Sequence, residues 1–289
     1  MATPALISGL GEVADRYDAV LCDVWGVIHN GRWSFLSACE ALERFAAERG
    51  PVVLVSNAPR PSDAILPQLR SLQVPDAAWT SVVTSGDATR AELERRAPGK
   101  VWRLGPERDA VLYEGLNLEP AGPDTADFIC CTGPFEDANG VPEGPERYGE
   151  VFKTCVDRGL TMICANPDRV VQRGADIIWC AGALADLYEG IGGVVVMAGK
   201  PYPPIFSLAR DRVAEARGSD DPGRLLLIGD GVVTDVKGAN NEGIDCLFIA
   251  GGVHGAEAVV GGRPVAAAVE RILLSEGARA AYVSDALSW

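Results

Sequence analysis

The chain has 289 residues, of which 47% are apolar and 23% are charged, so it is long enough for two folded domains at roughly 150 residues each. Its formal net charge of -14 argues against nucleic acid or an anionic membrane surface as a partner, because both would be repelled. The chain shows no basic N-terminal region before an apolar stretch and no apolar run of about 18 residues. We therefore expect a cytoplasmic globular protein with reduced cysteines.

Residues 1 to 97 alternate short apolar runs with helical stretches, which is typical of βαβ units and a parallel sheet. Ser34 precedes the first amphipathic stretch and is expected to cap it. The predicted elements are a strand at 19–22, a helix at 34–49, a strand at 51–55, a helix at 61–73, a strand at 81–84 and a helix at 85–96.

Pro98, Gly99 and Lys100 mark a boundary, after which a second alternating segment begins. The elements predicted there are strands at 101–105, 128–132, 161–165 and 177–180 and helices at 107–115, 146–158 and 184–189. We expect this segment, residues 98–190, to form an α/β domain inserted into the first one.

The first pattern then resumes, with a strand ending near Lys200, a helix at 203–217, a buried strand ending at Asp230 and a strand at 246–250. We expect residues 1–97 and 191–289 to form one discontinuous parallel-sheet α/β core.

Polar side chains follow the predicted core strands, at the sheet edge where open α/β folds bind ligands. They are Asp23, Ser56, Asn57, Lys200, Asp230 and Asp235. Carboxylates are hard oxygen ligands for Mg²⁺, and lysine neutralises phosphoryl oxygens, so the set suits metal-assisted phosphoryl transfer.

The ordered motifs DVWGV (23–27), VSNAP (55–59), AGKP (198–201) and GDGVVTD (229–235) resemble those of the haloacid dehalogenase-like superfamily. The inserted segment, with NPDRV (166–170) and CAGALADLYEGIGG (180–193), resembles that of sugar and nitrophenyl phosphatases with a large α/β cap. The resemblance covers nearly the whole chain and implies a Rossmann-like core with an inserted cap domain.

By this resemblance, Asp23 is the nucleophile of a phosphatase and forms an aspartyl-phosphate that water hydrolyses. Asp23, Asp230 and the backbone carbonyl of Trp25 are implied to hold Mg²⁺. Asp235 is implied to position Lys200 or a water on the metal.

The phosphate-binding residues follow in the same way. Ser56 is implied to hydrogen-bond the phosphoryl group, Asn57 to orient the adjoining loop and Lys200 to bridge nucleophile and phosphate. The amides of residues 24–27 are implied to cradle phosphoryl oxygens, with Gly26 allowing close approach. Asn166 and Asp168 are expected to face the substrate from the cap, although Asn-Pro-Asp also favours an ordinary turn.

Trp25 departs from the family pattern, because phosphatases of this superfamily carry an acid at that position. Indole exchanges no proton near neutral pH, so it cannot protonate the leaving group. Losing general acid–base catalysis typically costs about 10² to 10⁴ in rate. Trp25 is expected to pack between core and cap rather than to stack on substrate, and His29 and His254 are interpreted as ordinary loop histidines rather than replacement acids.

The sequence therefore predicts a Mg²⁺-dependent phosphatase acting on a small phosphorylated metabolite such as a sugar phosphate, slowed by Trp25. The alternative, from a different class, is a catalytically silenced relative that binds a phosphorylated ligand or a protein. The oligomeric state stays open, and a homo-oligomer is compatible with the sequence.

Overall fold

The computed structural model describes residues 3–138, 140–173 and 176–289. The chain forms two compact units. The first comprises Met1–Ser56, Leu66–Val83 and Phe206–Trp289, and the second comprises Asn57–Ile65 and Thr84–Ile205. The second unit thus includes more of the chain than the segment 98–190 that we expected to form the inserted domain.

Parallel sheets and helices dominate both units, with two short antiparallel strand pairs among the described residues, which confirms the predicted α/β class. The strands, in chain order, are β1 (Ala5–Leu6), β2 (Ala19–Cys22), β3 (Val52–Ser56), β4 (Ser81–Thr84), β5 (Gly99–Leu104), β6 (Leu118–Pro120), β7 (Phe128–Cys131), β8 (Thr161–Cys164), β9 (Val170–Arg173), β10 (Asp176–Trp179), β11 (Val194–Met197), β12 (Leu225–Gly229), β13 (Asp245–Ile249), β14 (Val259–Val260), β15 (Arg263–Pro264) and β16 (Tyr282–Ser284).

The α-helices are α1 (Leu36–Glu48), α2 (Ser62–Ser71), α3 (Ser85–Glu94), α4 (Gly149–Asp157), α5 (Ala181–Gly190), α6 (Pro203–Arg217), α7 (Lys237–Glu242), α8 (Gly255–Ala258) and α9 (Ala266–Ser275). Tighter or wider helical turns occur at Leu10–Glu12, Ala14–Arg16, Asp76–Ala78, Glu107–Tyr113, Pro145–Tyr148 and Val232–Val236.

Within the described residues, the first unit is built on a seven-stranded sheet of order β1-β16-β13-β12-β2-β3-β4. Every residue of β2, β3 and β12 is buried, as expected for parallel strands covered on both faces. The register pairs Cys22 with Ile228 on one side and with Leu54 on the other. These three strands therefore end close together at one edge of the sheet.

One prediction for the first unit was wrong. Ser34 does not cap α1, because it pairs with His29 in an isolated bridge and the helix begins only at Leu36. The C-terminal segment contributes a strand that was not predicted, since Tyr282–Ser284 forms β16 and pairs with both β13 and β1. Such short strands carry too little periodicity to be recognised from sequence.

The second unit contains a five-stranded sheet of order β11-β8-β7-β5-β6 among the described residues. Strand β11 was predicted to belong to the first sheet, and this prediction was wrong. Its register pairs Met197 with Cys164 of β8. A short apolar run such as VVVM suits a buried strand of either sheet, so only the tertiary pairing decides which one it joins.

Side chains of the second sheet alternate between two cores, as the strand geometry requires. Along β7, Ile129 and Cys131 join a cluster that includes Phe152 of α4 and Leu184 of α5. Phe128 and Cys130 point to the other cluster, which includes Leu93 of α3. The participation of α3 explains why the second unit begins well before residue 98.

Helix α3 illustrates how local sequence fixes a helix start. The Oγ1 of Thr84 accepts a hydrogen bond from Asp87 N at 3.0 Å, and Asp87 Oδ2 accepts one from Thr84 N at 2.9 Å. This reciprocal capping box satisfies two backbone donors that the helix itself leaves unpaired. The predicted start at residues 85–87 was therefore confirmed.

All eight cysteines are buried. No described helix combines the length and the apolarity needed to cross a bilayer.

Phe152 should be a major contributor to the stability of the second unit. It is fully buried and packs against Trp102, Tyr148 and Tyr188 with ring centroids 5.2 to 6.3 Å apart. We expect Phe152→Ala to lower the free energy of unfolding by about 3 to 5 kcal/mol in urea denaturation. Thr154→Ala, at an exposed position of the same helix, serves as the control and should change it by less than about 0.5 kcal/mol.

Candidate active site

Asp23 and Asp230 directly follow neighbouring strands of the first sheet. The backbone N–H of Asp23 donates to the carbonyl of Ile228 at 2.8 Å, so the parallel pairing of β2 and β12 continues up to the acidic residue. Asp230 is the first residue after β12. Both carboxylates therefore emerge at the carboxyl edge of the sheet, where open α/β folds hold their ligands.

Asp235 joins these two residues to form a carboxylate cluster. One carboxylate oxygen from each of Asp23, Asp230 and Asp235 lies within 4.8 Å of the others, and all three residues are buried. Backbone donors orient two of them. The N–H of Val253 donates to Asp230 Oδ2 at 2.8 Å, and the N–H of Gly231 donates to Asp235 Oδ2 at 2.9 Å.

Glycines surround the carboxylate cluster closely. A Cβ atom on Gly26 or on Gly252 would overlap Oδ2 of Asp230, and one on Gly229 would overlap the carboxyl carbon of Asp235. Gly26 also has φ +86°, a conformation that favours glycine. Gly26 therefore makes room for the Asp230 side chain, and its expected role in letting phosphoryl oxygens approach stays a prediction.

Gly252 and Val253 were missed by the sequence analysis. The available signal was the Gly-Gly pair directly after the predicted strand at 246–250, which marks a close backbone approach or a tight turn. Nothing in the sequence identifies Asp230 as the group that approaches it.

Trp25 packs on its own loop. Its ring lies 5.2 Å from that of His29 in an edge-to-face arrangement, and a Cβ on Gly31 would come within 2.6 Å of the indole. These contacts are local to the segment between β2 and α1. The side chain of Trp25 offers no acid to this part of the site.

The two histidines of the chain are unsuited to serve as the proton donor that position 25 lacks. His29 is buried, its Nδ1 accepts a hydrogen bond from Gly31 N at 3.0 Å, and desolvation lowers its pKa to about 4. Burial also lowers the pKa of His254, whose ring packs against Phe248. A neutral imidazole has no readily released proton, so neither group is a proton donor near pH 7.

The other predicted residues are divided between the units. Ser56, the last residue of β3, is buried in the first unit, whereas Asn57, Asn166, Asp168 and Lys200 belong to the second. Within the second unit, the Asn57 side chain hydrogen-bonds both the backbone of Lys200 and the carboxylate of Asp168. The Asn166 side chain accepts a hydrogen bond from the N–H of Asp168, as in the turn that Asn-Pro-Asp favours, and the expected contact of both residues with the substrate stays a prediction.

A cavity of about 490 Å³ lies where strands of the first sheet begin, and residues lining it include Arg210, Arg224 and Glu242. Arg210 forms an ion pair with Glu242, and Nε of Arg224 lies 3.8 Å from Oδ2 of Asp18. None of the residues that line this cavity is a candidate catalytic residue.

Two family models match the chain. A haloacid dehalogenase-like hydrolase model matches residues 20–119, and a second model of the same kind of hydrolase matches residues 197–273. These segments contain all four motifs noted in the sequence.

Three similar proteins are informative about the family and the chemistry of the chain. A haloacid dehalogenase-like family hydrolase from Brucella suis 1330 is 42% identical, with 98% of this chain and 100% of that one covered and a TM-score of 0.85. The 5'-nucleotidase YutF of Bacillus subtilis (strain 168) is 25% identical over 82% of this chain and 88% of its own length. A magnesium complex of a Mycobacterium tuberculosis glycerol phosphate phosphatase is 26% identical over 83% and 70%, with a TM-score of 0.61.

The near-complete coverage by a relative at 42% identity, the two family models and the strand-end carboxylates agree with one another. They confirm the resemblance noted in the sequence: this chain belongs to the haloacid dehalogenase-like hydrolase family.

Proposed function

We propose that this hydrolase is a Mg²⁺-dependent phosphatase that releases phosphate from a small phosphorylated metabolite through an aspartyl-phosphate on Asp23. The similar proteins act on a nucleotide and on glycerol phosphate, as their names state. Both are phosphate monoesters of a small hydroxylated molecule. A sugar phosphate belongs to the same chemical class and is our first candidate.

The observation that carries this proposal is the carboxylate cluster of Asp23, Asp230 and Asp235. Two unit charges within 4.8 Å repel each other by on the order of 3 kcal/mol at an effective dielectric constant of 20. Three such pairs approach the entire stability of a typical domain. A divalent cation removes this cost, and hard carboxylate oxygens suit Mg²⁺.

The residues present therefore fit the metal that the family implies. Asp23, Asp230 and the backbone carbonyl of Trp25 would hold it, with Asp235 beside them. When bound, Mg²⁺ supplies positive charge that offsets the charge of the phosphoryl oxygens.

Asp23 then acts as the nucleophile. Its carboxylate oxygen forms a bond to phosphorus while the bond between phosphorus and the ester oxygen breaks, and the leaving group departs as an anion that takes a proton from solvent water. Water subsequently attacks the aspartyl-phosphate, releases inorganic phosphate and regenerates the carboxylate.

The remaining roles are proposals carried from the family resemblance. Ser56 hydrogen-bonds the phosphoryl group, Lys200 bridges nucleophile and phosphate and neutralises the phosphoryl charge, and Asn57 orients the adjoining loop. Asn166 and Asp168 contact the part of the substrate beyond the phosphate.

Trp25 makes the reaction depend strongly on the leaving group. Because the chain offers no acid at position 25, an alkoxide leaving group departs without assistance, whereas nitrophenolate is a stable anion near neutral pH. We therefore propose slow turnover of sugar phosphates and faster turnover of nitrophenyl phosphate.

Asp23→Asn tests the nucleophile. We expect phosphate release from p-nitrophenyl phosphate with Mg²⁺ to fall by about 10⁴-fold or more, since the amide cannot form the acyl phosphate. Asp15→Asn, which removes an exposed acid of the same unit, should leave the rate unchanged. Equal rates in Asp23→Asn and the parent would refute the mechanism.

Trp25→Asp tests the missing acid, with Trp25→Asn as its matched control because both lose the packing on His29 and Gly31. We expect Trp25→Asp to raise kcat for a sugar phosphate by about 10² to 10⁴ over Trp25→Asn and to change kcat for nitrophenyl phosphate far less. Indistinguishable kcat values for the two variants would show that the missing acid does not limit the rate.

Gly26→Ala tests the packing that the metal site requires. The new methyl would displace the Asp230 carboxylate, so we expect Mg²⁺ affinity, measured by titration calorimetry, to fall at least about tenfold. Gly243→Ala is the control, since Gly243 has φ +67° but no atom within 4 Å of an added Cβ. Undiminished Mg²⁺ binding by Gly26→Ala would contradict the assignment of Asp230 as a ligand.

A further inference from the structure

Asn57 lies between two loops of the second unit that follow neighbouring strands. Residues 166–168 come after β8, and residues 198–200 come after β11, whose Met197 is paired with Cys164. The two loops are therefore neighbours at the carboxyl end of this sheet. Asn57 is buried and contacts both of them.

Three hydrogen bonds define the contact. Oδ1 of Asn57 accepts from the N–H of Lys200 at 2.8 Å, and Nδ2 donates to the carbonyl of Lys200 at 3.2 Å. The second hydrogen of Nδ2 goes to Oδ1 of Asp168 at 2.9 Å. Both hydrogens of the Asn57 amide nitrogen are therefore donated. The partners also fix which end of the amide is the oxygen, because a backbone N–H faces Oδ1 and two acceptor oxygens face Nδ2.

Close packing at Gly199 holds the same backbone in place. A Cβ there would lie 2.5 Å from Oδ1 of Asn57, 2.7 Å from Oγ of Ser85 and 2.8 Å from Cδ of Pro167. Any side chain at position 199 would push Lys200 away from Asn57. The backbone of Lys200 is thus held by a side chain that also holds the loop containing Asp168.

We propose that Asn57 is a positioning residue that fixes Lys200 and joins it to Asp168, so that the loop 166–168 controls turnover as well as substrate binding. This rests on the proposed function, in which Lys200 neutralises the phosphoryl group. A lysine displaced by about 1 Å from its working position can cost on the order of 10² in rate.

The test uses p-nitrophenyl phosphate, whose leaving group has no hydroxyl groups for Asp168 to recognise. We expect Asn57→Ala to lower kcat by about 10- to 100-fold with little change in KM. Asp168→Ala should lower kcat by about 2- to 10-fold, the value of one lost hydrogen bond. Asp168→Asn should recover most of that loss, because its amide oxygen still accepts from Asn57.

Exchanging the two side chains sharpens the test. Asn57→Asp alone places an oxygen opposite the carbonyl of Lys200 and the carboxylate of Asp168, so kcat should fall at least as far as in Asn57→Ala. Combining Asn57→Asp with Asp168→Asn restores a donor and an acceptor in reversed order. We expect kcat of the double variant to exceed that of Asn57→Asp at least about threefold.

Asn240 provides a matched control in the first unit. Its side chain accepts a hydrogen bond from the N–H of Arg279 at 2.8 Å and donates one to the carbonyl of Arg279 at 2.7 Å. Asn57 makes the same pair of backbone hydrogen bonds to Lys200. Asn240→Ala should lower the denaturation midpoint without changing kcat or KM. Hydrogen exchange at the Lys200 amide gives a readout independent of activity, and it should accelerate in Asn57→Ala and Asp168→Ala but not in Asn240→Ala.

The outcomes separate the two proposals. A parent enzyme without phosphate release, or one unaffected by Asp23→Asn, defeats the proposed function and this inference with it. If phosphate release by the parent enzyme depends on Asp23 but Asp168→Ala has the same kcat as the parent, the proposed function stands and only this inference is overturned. An effect of Asp168→Ala confined to KM does the same, because it would make Asp168 a binding residue only.

Discussion

The carboxylate cluster is the constraint on which the first unit depends. Three buried acids within 4.8 Å of one another are tolerable only if the backbone orients them and a positive charge compensates them. The chain meets the first requirement with the N–H groups of Gly231 and Val253, and it makes room for the side chains with Gly26, Gly229 and Gly252. These glycines are spread over more than 200 residues of sequence, yet each one removes a clash with the same small group of oxygens.

The parallel sheet brings this cluster together. Because β2 and β12 are neighbours with Cys22 opposite Ile228, the residues that follow them emerge side by side. The wide helical turn Val232–Val236 then returns Asp235 towards the strand end, so that it contributes an oxygen to the same cluster. The second unit uses the same arrangement with β8 and β11, where the Asn57 side chain joins the two loops that follow these strands. In both units, pairing of strands that are far apart in the chain brings residues that are distant in sequence close together in space.

Trp25 shows how packing and chemistry can compete for one position. Its ring fills space over Gly31 and against His29, and that packing stabilises the loop between β2 and α1. In the reaction that we propose, a carboxylate there would assist the leaving group, but it would lose these packing contacts. The buried His29, with a pKa of about 4, cannot take over the donor role at neutral pH. In that reaction, position 25 therefore contributes packing and supplies no proton to the leaving group.

The sequence by itself determined the α/β class, the order of most helices and strands, and the identity of Asp23, Asp230 and Asp235 as acids near strand ends. Those features depend on local periodicity and on turn residues, which a short window of sequence contains. Only the tertiary structure decided that β11 pairs with β8, that Tyr282–Ser284 joins the first sheet, and that Gly26 and Gly252 pack on Asp230. A run such as VVVM is compatible with a strand of any parallel sheet, and a glycine is compatible with close approach of any neighbouring atom. Which sheet and which neighbour they meet is decided by strand pairing and side-chain packing between distant segments, and neither is encoded in a local pattern.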